Sequence, residues 1–88
     1  MQTQKITVHN ASGLHARPAN MFVKEAVRHA GCNIFVRKNG RNYNGKSIVS
    51  VLSACIKCGT EIELVAEGEN EAQALADMVA AVESGLGE

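Results

Sequence analysis

Aromatic residues are almost missing from this sequence, which has two phenylalanines, one tyrosine and no tryptophan. Phe22, Phe35 and Tyr43 are too few to build a base-stacking platform or an aromatic sugar-binding cleft. Charge of one sign is not in excess either, since nine Lys and Arg balance nine Asp and Glu. No overall field draws the chain onto nucleic acid or an anionic membrane, so partners must be recognised locally. Long apolar runs are also lacking. Nothing approaches the roughly 20 residues of a membrane span, and Met1-Gln2-Thr3-Gln4-Lys5 holds no signal-peptide core, so a soluble, cytoplasmic protein without membrane insertion is expected. Cys32, Cys55 and Cys58 are an odd number that cannot all pair within the chain, which argues against a secreted disulfide scaffold. A length of 88 residues fits one domain over 1–88, with one core and no room for a deep substrate cavity. Function belongs at the surface.

What is present reads as alternating strands and helices. Gln4, Ile6 and Val8 alternate with Lys5, Thr7 and His9 as a first strand, and Asn10-Ala11-Ser12-Gly13 supplies turn formers after it. Ala19, Phe22, Val23, Ala26, Val27 and Ala30 then recur at helical spacing, with Arg17, Asn20, Lys24, Glu25 and Arg28 on the other face. The single proline, Pro18, fits only in the first turn of that helix, which must begin near Ala16 and end at Gly31. Cys32, Ile34 and Val36 mark a second strand, Asn39-Gly40 a hairpin turn, and Arg41-Asn42-Tyr43 a short polar edge strand. Ser47 is placed to cap a short helix whose Ile48, Val51, Leu52 and Cys55 share one side. Ile62, Leu64 and Ala66 alternate as a fourth strand. Asn70 with Gln73 resembles a capping box ahead of a last helix with Leu75, Met78, Val79 and Val82 inward. The order βαββαβα predicts an α+β open-faced sandwich, a four-stranded antiparallel sheet covered on one face by three helices.

The chemistry concentrates in Gly13-Leu14-His15-Ala16-Arg17-Pro18-Ala19. This segment puts the His15 imidazole at or beside the helix N-cap, where free backbone N–H groups and the positive helix end converge. That end favours an uncharged, nucleophilic ring over imidazolium. A phosphoryl group attached there would meet the same N–H groups and the Arg17 guanidinium. No carboxylate lies in the segment to act as a base, and no glycine-rich loop carries a phosphate-binding lysine. The chain therefore reads as a carrier loaded by other enzymes, without turnover, cofactor or metal of its own. The plainer alternative makes His15 a tolerated surface histidine; His9, at a strand end, and His29, late in a helix, take that plain reading.

The same seven residues resemble the active-site signature of the HPr family, the histidine phosphocarriers of the bacterial sugar phosphotransferase system. The likeness covers the whole chain, including length, element order and Lys46-Ser47-Ile48 before a short helix. It implies that enzyme I phosphorylates His15 on Nδ1, that Arg17 stabilises the phosphate, and that IIA domains of sugar permeases receive it. Ser47 matches the position phosphorylated by HPr kinase/phosphorylase in some members, which implies a regulatory role and a catabolite-control transcription factor as a partner. Such a phosphate would place about two negative charges on a surface that partners must cover. Met21, Ile48 and Val49 are candidates for an apolar docking patch beside His15, with Ile48 equally readable as core. A monomer is expected.

Cys55-Ile56-Lys57-Cys58 departs from the family pattern and raises a rival from another class, a thiol redox or metal module. Redox motifs put the first cysteine at a helix N-terminus, whereas Cys55 falls at a helix end, and zinc would need a fourth ligand besides Cys32. A third possibility is a regulatory paralogue of the same fold.

Overall fold

Period-2 alternation lays down a sheet of four strands, and helical periodicity supplies three helices that cover it. The computed structural model describes residues 1–86; Gly87 and Glu88, the end of the domain expected over 1–88, lie outside the described residues. In chain order the elements are β1 (Gln2–Thr7), α1 (Ala16–Val27), β2 (Cys32–Lys38), β3 (Arg41–Asn44), α2 (Ile48–Ser53), β4 (Glu61–Gly68) and α3 (Glu71–Glu83). The sheet order is β1-β4-β2-β3 and every pairing is antiparallel. This is the open-faced α+β sandwich that the element order implied. None of the described helices is long and apolar enough to cross a membrane.

One side chain in two along the central strands points at the helices. Ile34 and Val36 on β2 and Ile62, Leu64 and Ala66 on β4 are buried there, joined by Leu14, Ala19, Phe22 and Ala26 from the first loop and α1. Leu75, Met78, Val79 and Val82 close the core from α3, as their spacing predicted. Phe22 is fully buried, and burial of a side chain of that size contributes about 2 kcal/mol. The open face carries Lys5, Glu63, Arg37 and Asn42 in one row, where Arg37 donates to Glu63 at 3.0 Å and to Asn42 at 2.9 Å. Val65 lies on this face too, yet it is buried, with Thr3 and Phe35 as its register neighbours.

Several local expectations shift. The α1 helix stops at Val27, with Arg28 as its C-cap, a turn before Gly31; Val27 and Ala30 are consequently exposed. The α2 helix runs only to Ser53, so Leu52 and Cys55 face outward. Cys55 has a left-handed backbone (φ 52°) that turns the chain, and Ala54 and Ile56 take the inward places instead. The capping box at Asn70 does not form. Asn70 is left-handed (φ 54°), which aims its side chain away from the helix N–H groups, and Gln73 donates to Asp77 instead. Asn39 and Gly40 both have positive φ, the primed turn expected between β2 and β3.

Candidate functional site

The loop from β1 to α1 is anchored before it reaches His15. Asn10 is buried and donates its side-chain amide to the Gly13 carbonyl, while the Gly13 N–H returns to the Asn10 carbonyl at 2.9 Å. Gly13 (φ +60°) lies against the chain that follows α2, and the next N–H, that of Leu14, donates to the Ile56 carbonyl at 2.9 Å. Leu14 is fully buried. Its anchorage delivers the following residue to the surface at a defined height. Asn10 and Ile56 are thus positioning residues that sequence reasoning did not single out. The turn-forming run 10–13 was visible, but a partner more than forty residues away leaves no local signal.

His15 is the N-cap of α1, with extended backbone (φ −130°, ψ 163°) and no side-chain capping bond. Its ring is half-exposed. Pro18, in the first turn and buried, has no N–H to offer, so the N–H groups of Ala16 and Arg17 are the helix donors without an intrahelical acceptor. Ala16 has left-handed backbone (φ 52°), a conformation that costs a non-glycine residue about 1–2 kcal/mol and that bends the chain between His15 and the helix body. The Arg17 side chain is exposed at the same helix end. No acidic side chain lies in the first turn. A half-exposed imidazole, two backbone N–H groups and an exposed arginine therefore occupy three consecutive positions at one helix end, a composition able to receive an anion.

Ser47 caps α2, its hydroxyl accepting from the Ser50 N–H at 3.3 Å. The apolar residues around these two helix starts are only partly those expected. Met21 (39 % exposed) and Val49 (73 %) are open to solvent, and Leu52 (39 %), three residues after Val49, shares its face. Ile48 is half-buried and packs against the core. Leu52 was overlooked because a six-residue helix has too few turns to define its inward face. Cys55 and Cys58 are both exposed free thiols, and Cys55 lies beyond the α2 C-cap, where no helix N-terminus assists a thiolate. Cys32 is buried at the start of β2.

Comparison with known proteins agrees with this geometry. The family model described as the PTS HPr component phosphorylation site matches residues 2–84. The HPr-like protein Crh of Bacillus subtilis is 42% identical over 83 residues, covering 94% of this chain and 96% of Crh. Phosphocarrier protein HPr of Treponema pallidum is 41% identical over 75 residues, covering 85% of this chain and 84% of its own length. The crystal structure of HPr-C-His from Thermoanaerobacter tengcongensis superposes with a TM-score of 0.95 at 38% identity, covering 100% of this chain and 98% of that one. By sequence over nearly its whole length and by fold, the chain belongs to the HPr family, the phosphocarriers of the phosphotransferase system.

Proposed function

We propose that this chain accepts a phosphoryl group from enzyme I on His15 and passes it to sugar-specific IIA domains, working in the cytoplasm as a monomer. The observation that carries the reading is the half-exposed N-cap imidazole with no capping bond of its own. Its Nδ1 attacks phosphorus as the donor's bond to that phosphorus breaks, and the phosphate oxygens are received by the Ala16 and Arg17 N–H groups and the Arg17 guanidinium. The acceptor domain then reverses the step. Moderate stabilisation suits a carrier, because an anion held too tightly could not be handed on. Met21, Val49 and Leu52, with the edge of Ile48, offer partners an apolar contact beside the ring.

Incubation with enzyme I and phosphoenolpyruvate tests this directly. One acid-labile, base-stable phosphoryl group per chain is the expected mass change, and its absence would refute the carrier role. Arg17→Ala should slow transfer roughly tenfold, the loss of one exposed charge-assisted contact, with the unfolding midpoint unchanged. Transfer kinetics equal to the parent's would remove Arg17 from the phosphate site.

Regulation at Ser47 by HPr kinase/phosphorylase, read out by a catabolite-control transcription factor, is the second layer of the proposal. A phosphate there adds negative charge two residues from Val49, at the edge of the docking surface, which weakens binding to enzyme I. Ser47→Ala should block ATP-dependent labelling by the kinase and cost about 0.5–1 kcal/mol of stability through the lost cap. Label retained in that variant would move the modified residue to Ser50 or Ser53. Similarity to Crh favours one further reading, a purely regulatory paralogue, in which Ser47 is modified and enzyme I leaves His15 unlabelled.

A further inference from the structure

At the far end of α1 from His15, on the order of 20 Å along the helix axis, a second group of polar side chains converges. Glu25 and His29 are four residues apart and fall on one face; Asp77 reaches them from α3, which packs against α1. The His29 Nε2 atom lies 3.4 Å from Glu25 Oε2 and 3.8 Å from Asp77 Oδ2, and the three donor atoms all fall within 4.8 Å of one another. That Nε2 is buried and makes no hydrogen bond, although two carboxylate oxygens face it. An imidazole nitrogen so placed either points a proton poorly at its neighbours or points a lone pair at a cation.

The remaining oxygens are tied back in a way that favours the second arrangement. Glu25 Oε1 pairs with Arg28 at 3.2 Å, leaving Oε2 toward His29, and Asp77 Oδ1 accepts from Gln73 at 2.8 Å, leaving Oδ2 toward the same point. Such outer contacts are what orients carboxylate ligands around a metal. A tetrahedral ion with arms of about 2.05 Å holds its donors about 3.3 Å apart, close to the two distances from His29. The groove alongside, about 370 Å³ and lined by Glu25, Arg28, Asp77, Ala80 and Ala81, leaves room for water in a further position. The negative end of the α1 dipole lies at this spot as well, and it favours a cation.

We propose that Glu25, His29 and Asp77 form a binding site for a divalent transition-metal cation of the zinc type. One imidazole and two carboxylates match zinc, cobalt or nickel, whereas calcium and magnesium favour all-oxygen shells over an imidazole nitrogen. Bound there, the ion staples α1 to α3 and leaves the His15 end of the helix open. The site stands independently of the phosphocarrier reading, because its test needs neither enzyme I nor phosphate.

Zinc titration of the full chain against a metallochromic chelator, with a non-thiol reductant present, should give one equivalent bound and a higher unfolding midpoint. Asp77→Asn and His29→Gln should each weaken zinc binding roughly tenfold or more and abolish the gain in midpoint. Asp77→Asn is the safer variant to fold, since its side chain is 40% exposed. Cobalt in place of zinc should give visible bands without a thiolate charge-transfer band, and the double substitution Cys55→Ser/Cys58→Ser should leave affinity unchanged. Failure to take up zinc, binding unaffected by Asp77→Asn and His29→Gln, or binding lost with the two cysteines would overturn the proposal.

Discussion

His15→Ala is expected to take up no phosphoryl group at all from enzyme I and phosphoenolpyruvate, while folding like the parent. The loss is complete because neither other histidine can substitute. His9 is exposed past the end of β1, beside the carboxyl end of α3 rather than at a helix N-terminus, and His29 is enclosed between Glu25 and Asp77. Stability should stay within about 0.5 kcal/mol, since the ring is half-exposed and caps no N–H group. Intact-protein mass spectrometry after incubation reads the first expectation and urea unfolding the second. A variant that still gained one phosphoryl group would place the acceptor elsewhere and dissolve the argument built on the α1 N-terminus.

Gly13→Ala should produce the largest loss of stability of any single methyl addition near the site. Gly13 has φ +60°, and a Cβ there would collide with the Ile56 carbonyl oxygen and lie 2.8 Å from Lys57 Cα. Neither backbone atom can move without disturbing the Leu14 to Ile56 hydrogen bond, so the loop must lift away and draw the buried Leu14 with it. Left-handed strain of about 1–2 kcal/mol and a lost hydrogen bond of about 1 kcal/mol together predict roughly 2–3 kcal/mol, before any packing loss. Gly59→Ala is the matched control: its φ is +89° but nothing lies within 4 Å of the added carbon, so only the strain remains. Phosphoryl uptake by Gly13→Ala should also fall, on the order of a hundredfold for a displacement near 1 Å. Equal stability of the two alanine variants in urea would show that the close approach at Ile56 does not hold the loop.

The signals that were legible came from local rules with little freedom. Pro18 can sit only in a first turn, and that alone located the start of α1 and made His15 its cap. Asn39-Gly40 demanded a primed turn, and alternation in β2 and β4 chose the buried face. Weaker rules failed where a short element gave them little to average over. In α2, six residues could not distinguish an inward Leu52 from an outward one, and the left-handed turn at Cys55 reset the phase so that Ile56 entered the core. At Asn70 a good capping residue was present, but its backbone conformation removed the side chain from the N–H groups it would have capped.

Sequence by itself determined the order of elements, the antiparallel sheet with one covered face, and the position of His15 and Arg17 at a helix head. These follow from periodicity and backbone sterics acting over a few residues. Only the tertiary structure decided that Ile56 holds the loop before His15, that Leu52 rather than Ile48 joins Met21 and Val49 at the surface, and that Asp77 meets Glu25 and His29 across two helices. Each of those depends on segments far apart in the chain being brought together by burial of a shared core, and hydrophobic burial sets such meetings without direction or local trace.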